Sequence, residues 1–182
     1  LGGDYASNYT ELSVTKRFWL NSCGRIDIYG RAGAQWNRVP FPLLITPAAN
    51  NSYIIQRGMF NMINNMEFMN DRFVSLDVQW DLSGKLFNRI PLLKHLKWRE
   101  VIGFKTLYGT LTDKNNPMKT GEGLYAFPVG SGVMGRAPYM EASVGIENIF
   151  KFMRLDYVWR LNYRDHPGIQ KRGIRCTMSL SF

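Results

Sequence analysis

The sequence predicts an all-β chain: an antiparallel transmembrane β-barrel meander of about seven strands, the C-terminal part of a larger barrel. Three observations predict it. Seven segments alternate apolar and polar residues with a period of two. Each runs for about 9–14 residues, against the ~9–11 that cross a bilayer when tilted and the ~5–6 usual in soluble sheets. The connections alternate in length, short after the first, third and fifth segments and long after the second, fourth and sixth, as periplasmic turns and extracellular loops do in outer-membrane barrels.

The first strand is expected over Tyr9–Leu20, followed by the tight turn NSCG, and the second over Arg25–Trp36. A long connection, Asn37–Arg72, leads to the third strand, Phe73–Leu82, where Val74, Leu76, Val78 and Trp80 alternate with Ser75, Asp77, Gln79 and Asp81. A short linker, SGKLFNRIPLLKHLK, precedes the fourth strand, Trp98–Leu111. After a Gly/Pro/Asn-rich loop, Thr112–Pro138, come the fifth strand, Tyr139–Phe150, and across a very tight turn the sixth, Lys151–Arg164. The loop DHPGIQKRG leads to the last strand, Ile174–Phe182. Lys16 and Glu100 break the apolar faces of the first and fourth strands near their ends. Trp36, Trp80, Trp98, Tyr108, Tyr139 and Tyr163 lie near strand ends, where an aromatic girdle would meet the membrane interface.

The 182 residues are 45% hydrophobic and 14% aromatic, with 17 Gly, yet no window reaches the ~18 apolar residues of a membrane-spanning helix. The formal charge of +9 is spread through the strands rather than gathered on one patch, so no nucleic-acid partner is expected. Cys23 and Cys176 show no metal-binding spacing and are read as free thiols used as small apolar residues. The sequence opens LGGDYASNYTEL, without Met or a leader pattern, and is read as the C-terminal piece of a longer protein. A soluble β-sandwich or lipocalin-like barrel shares the alternation, with its apolar rows turned inward instead.

No catalytic constellation is present, and no metal or cofactor is implied. His95 and His166 are isolated and read as solvated. Glu141 and Glu147 lie about 20 Å apart along one strand, too far for a pair of carboxylates acting on one bond. GSGVMG at Gly130–Gly135 has no following helix and is read as a flexible loop. The polar faces carry Arg25, Asp27, Arg31, Lys105, Glu147, Arg154, Asp156, Arg160 and Arg175, which suit a salt-bridged lumen wall or a lumen tuned for an anionic solute. The connection 37–72 is too apolar for a solvated loop and too long for a passive one, so it is expected to fold into the lumen. Arg57 then needs a partner, and Asp77, Asp81 and Glu141 are the candidates; the alternative is a surface loop with Arg57 solvated.

Within that connection, IQRGMF (Ile55–Phe60) resembles the lumen-loop motif of the surface-antigen superfamily of outer-membrane barrels, with Gln56, Arg57, Gly58 and Phe60 as its residues. That superfamily includes the central subunit of the outer-membrane assembly machine and the two-partner secretion transporters. Gln56 stands where the motif usually has Val, and the fourth strand lacks the Asp that usually faces the loop arginine. Five strands follow the motif, as in that superfamily, and the terminal Phe182 resembles the signal read by the barrel assembly machinery. The stretches Met69–Lys105 and Tyr139–Ile169 look closer still to a Bacteroidetes-type outer-membrane family of unknown function, which joins a carboxypeptidase-regulatory-like domain to such a barrel. The resemblance implies sixteen strands in all, with about nine lying upstream. It also implies a non-enzymatic role in protein or solute translocation or in outer-membrane assembly. Bacterial outer-membrane lipid, the assembly machinery and the missing strands would be the partners. A structural barrel displaying a periplasmic module is the alternative.

Overall fold

In the computed structural model, which describes residues 6–120 and 123–178, seven strands form one open antiparallel sheet in sequence order. The strands are β1 (Tyr9–Trp19), β2 (Arg25–Gln35), β3 (Arg72–Asp81), β4 (Arg99–Thr110), β5 (Tyr139–Ile149), β6 (Met153–Arg160) and β7 (Arg172–Met178). The first five lie within a residue of their expected bounds at each end. β6 is shorter than expected for two local reasons. At its start Phe150 and Lys151 take positive φ to make the tight turn. At its end the Asn162 side chain accepts the Met140 N–H at 2.9 Å, so a side chain replaces the backbone ladder. β7 begins two residues earlier than expected, and Phe182 lies outside the described residues.

The period-two pattern sorts the side chains onto two unlike faces. Ile102, Val144 and Ile174 share one cross-strand row on the outer face, and all three are exposed. Leu12, Val14, Val74 and Leu76 on the same face are exposed as well. The inner face is the buried one, and it is charged: Asp77, Asp81, Lys105, Glu141, Asp156, Arg160 and Arg175 are all buried. The ordinary arrangement of a soluble sheet, apolar residues inside and polar outside, is inverted over most of the sheet.

Among the described residues, the clustered apolar core lies where the long connection covers the inner face. Phe60, Ile63 and Phe68 of the connection pack with Phe73, Leu107, Met134 and Tyr139. Two expectations change here. Tyr139 does not join an outer girdle; it is fully buried, because it shares the Glu141 side of β5. Tyr163 also turns inward, its ring 5.1 Å from that of Phe68 and its hydroxyl donating to the Ala137 carbonyl at 2.5 Å. Trp36 and Tyr108 remain exposed. GSGVMG is held rather than loose: Gly132 bridges to Phe68, and Met134 is in the core. The linker after β3 is not plain loop, since it contains a short helix, α1 (Pro91–Leu96). Cys23 and Cys176 are both free thiols. Cys23 is more than apolar filler, because its Sγ accepts from Lys85 Nζ at 3.1 Å.

Close approach of the connection needs bare backbone on the sheet. A Cβ at Gly109 of β4 would lie 2.3 Å from the Asn70 side chain. A Cβ at Gly145 would lie 2.5 Å from Asp156 Oδ1, so Gly145 makes room for a buried carboxylate on the next strand.

Candidate functional site: the inner face and its docked loop

Strand register places five residues in one row across the inner face: Tyr29, Asp77, Lys105, Glu141 and Arg160. From Asp77 onward the charges alternate in sign, which is the favourable order for directly opposed cross-strand pairs. Lys105 Nζ lies 3.2 Å from Asp77 Oδ2 and donates to the Met59 carbonyl at 2.6 Å. Arg25 lies 3.4 Å from Asp81 and 3.6 Å from Asp27, while Arg17 meets Asp27 at 2.5 Å. Arg31 pairs with Glu11 at 2.7 Å. Arg154 clasps Asp156 through two nitrogens, at 2.6 and 2.7 Å, and reaches Gln79 at 2.9 Å. Glu147 stands opposite Arg99 near the short-turn end, away from the loop.

Apart from Glu147, the charges expected on this face are brought together, and several of them grip the loop. Glu141 accepts the backbone N–H groups of Asn61 and Met62 at 3.0 and 3.1 Å, like an anion bound by a backbone nest. Arg175 donates to the Asn61 carbonyl at 2.7 Å. Arg160 donates to the Met62 carbonyl at 2.9 Å and to both carboxylate oxygens of Glu67, one of them at 2.9 Å. The bidentate fork and the full burial of Arg160 make this the strongest single tether.

Arg57 does not behave as expected. None of its three candidate carboxylates bonds to it: Asp77 is held by Lys105, Asp81 by Arg25, and Glu141 by the loop backbone. Its guanidinium instead stacks over the Tyr29 ring at 5.6 Å, and Arg57 is exposed. Gly58 has φ 75°, and a Cβ there would lie 2.9 Å from the same ring, so glycine is needed on both counts. Gln56 is exposed and Phe60 is buried in the core. A polar cavity of about 300 Å³ opens beside this stack, with Arg17, Asp27, Arg57, Asp77 and Arg154 around it. Arg57→Ala is expected to cost about 0.5–1 kcal/mol, the worth of an exposed cation–π contact. Gly58→Val should cost more, through strain at positive φ and collision with Tyr29. Chemical denaturation of the two variants checks this order, and an Arg57→Ala loss larger than that of Gly58→Val would contradict it.

Glu67 and His166 were missing from the sequence-derived site. His166 is not simply solvated: its Nδ1 lies 2.8 Å from Glu67 Oε1, and its ring lies 5.6 Å from that of Phe68. A lone acid inside the apolar run NMEFM was the available signal for Glu67. His95, on α1, is exposed as expected. Burial pushes the Glu67 carboxyl up, but Arg160, the Asn64 N–H and His166 outweigh it and hold its pKa below the usual range. The folded value therefore lies below the unfolded ~4.3, so the tether is complete above that pH and is lost as pH falls through the lowered value. A spin label at Met66→Cys should keep one mobility from about pH 8 to about pH 5 and loosen only in stronger acid. Loosening near neutral pH would contradict the assignment.

Residues 1–117 match the model described as Family of unknown function (DUF5686) C-terminal domain. The chain belongs to this family. No curated protein and no solved structure matches it. The family's matched region ends just past β4, so it takes in the whole docked loop and the first four strands of the sheet.

Proposed function

We propose that the chain is a wall segment of a non-enzymatic β-barrel in the bacterial outer membrane, surface-antigen-like, acting in protein or solute translocation or in outer-membrane assembly. The observation that carries the reading is the inversion of the sheet, with a bare apolar outer face backed by a buried, alternately charged inner one. Water disfavours such an outer face, whereas lipid suits it. The soluble-barrel alternative would need a second layer over that face. Both long edges also ask for neighbours. β1 has no strand beyond it among the described residues, and β7 meets only Tyr53–Ile55 of the loop, at Cys176. Upstream strands of the same protein would pair with those edges and close the barrel, since unpaired edges are not viable in lipid. Insertion would then involve the barrel assembly machinery.

The docked loop favours a barrel that is occluded at rest. Conductance of the intact protein in planar bilayers tests this. Closed or low-conducting wild type, with openings in an Arg160→Ala variant that has lost the loop tether, supports passage through the lumen. Silence in both supports the anchor role, in which the barrel only displays a periplasmic module.

A further inference from the structure

The linker between β3 and β4 is folded onto the outer side of the wall. Glu100 belongs to the outer row, opposite Ile146, and its carboxylate accepts the Phe87 N–H. The Phe87 ring meets the edge of Trp98, on the same face, at 6.5 Å. The linker therefore sits beside the apolar face rather than beneath the charged one. Its own apolar side chains are left largely uncovered: Leu86 is 53% exposed, Ile90 47%, Leu92 77% and Leu96 47%. On α1, Leu92 and Leu96 are four residues apart and lie above one another, while Lys94 faces the other way. Lys85, Arg89, Lys94 and Lys97 accompany them, and no acidic residue lies between Asp81 and Glu100.

Apolar side chains and an unbroken set of cations, at the rim of a bare apolar wall, are the chemistry of a segment lying in a membrane interface. We infer that Lys85–Lys97 is an interfacial anchor that binds anionic phospholipid at the short-turn end of the barrel. The occupant is fixed by charge complementarity and by continuity with the outer face: phosphate headgroups meet the four cations while Leu92 and Leu96 enter the acyl boundary. The inference rests on the transmembrane reading given above. Glu100 acquires a purpose in it, since a carboxylate on an apolar face pins the linker where the wall leaves the bilayer.

The test uses the intact protein with Cys23→Ser and Cys176→Ser, in vesicles of phosphatidylcholine with or without phosphatidylglycerol. A fluorophore is placed at Leu92→Cys or, separately, at Val144→Cys in mid-wall, and heat-modifiable migration confirms folding. Lipid-borne quenchers should reach Val144 deeply and Leu92 shallowly, with quencher-labelled phosphatidylglycerol favoured over phosphatidylcholine at Leu92. Lys85→Gln, Arg89→Gln, Lys94→Gln and Lys97→Gln together should abolish that preference. Each charge is worth up to about fivefold, the equivalent of ~1 kcal/mol. Val144 in lipid with Leu92 open to aqueous quencher, or shielded from both by a protein, overturns the anchor and leaves the membrane reading standing. Lipid contact at Leu92 without anionic preference overturns the phospholipid assignment. Aqueous access at both positions sinks the membrane reading and the anchor with it.

Discussion

Arg160→Ala is expected to destabilise the protein by about 3–5 kcal/mol, the cost of breaking a buried ion pair from one side. The substitution removes bonds to the Met62 and Asn162 carbonyls and leaves the Glu67 carboxylate buried without its cation. The ring of Tyr139 also loses a guanidinium 5.0 Å above it. The same physics predicts a rescue. Glu67→Gln/Arg160→Met removes both charges at once, so the desolvation cost disappears with the attraction and most of the stability should return. Urea unfolding of the folded protein in detergent reads both. A single variant no worse than the double would mean that the pair is solvated and the loop is not held there.

The second large effect is expected at Val144, midway along β5 and half exposed on the outer face. If that face lies in lipid, Val144→Arg costs about 2–4 kcal/mol, as for a cation at the bilayer midplane. If it lies in water, the same change stays within about 0.5 kcal/mol, as exposed surface substitutions do. Denaturant titration in lipid vesicles separates the two outcomes. Gln79→Glu, which puts a charge on the opposite face beside the polar cavity and keeps an acceptor for Arg154, is the control and should be tolerated far better.

Most of the wall was legible in the sequence because a strand's facing is a local property. Met153 to Trp159 alternate whatever the rest of the chain does, so the faces of β6 followed directly from residue order. That Asp156, Arg160 and Arg175 share one face was legible for the same reason; their burial was not, since Arg160 and Arg175 are held by the docked loop. Tyr139 was misplaced because membership of an aromatic girdle was inferred from its position near a strand end, although its parity with Glu141 already put it inside. The loop contacts were not legible, because they depend on how an irregular segment seats against five strands at once. Arg57 illustrates this: of the three candidate carboxylates, Asp77 is ion-paired with Lys105, Asp81 with Arg25, and Glu141 is bound by loop backbone. The ring of Tyr29 was left. Glu67 and His166 come together from two connections that nothing in the sequence links.

The central claim is that the apolar face of this sheet meets lipid while its charged face meets the docked loop. A nitroxide scan residue by residue along β5 and β6, in the intact protein reconstituted in bilayers, tests it most directly. Oxygen accessibility should peak at Val144, Leu155, Tyr157 and Trp159 and fall at Glu141, Asp156 and Val158, a period-two trace out of phase with access to a water-soluble relaxer. High access of the water-soluble relaxer at Val144 and Leu155 would contradict the account.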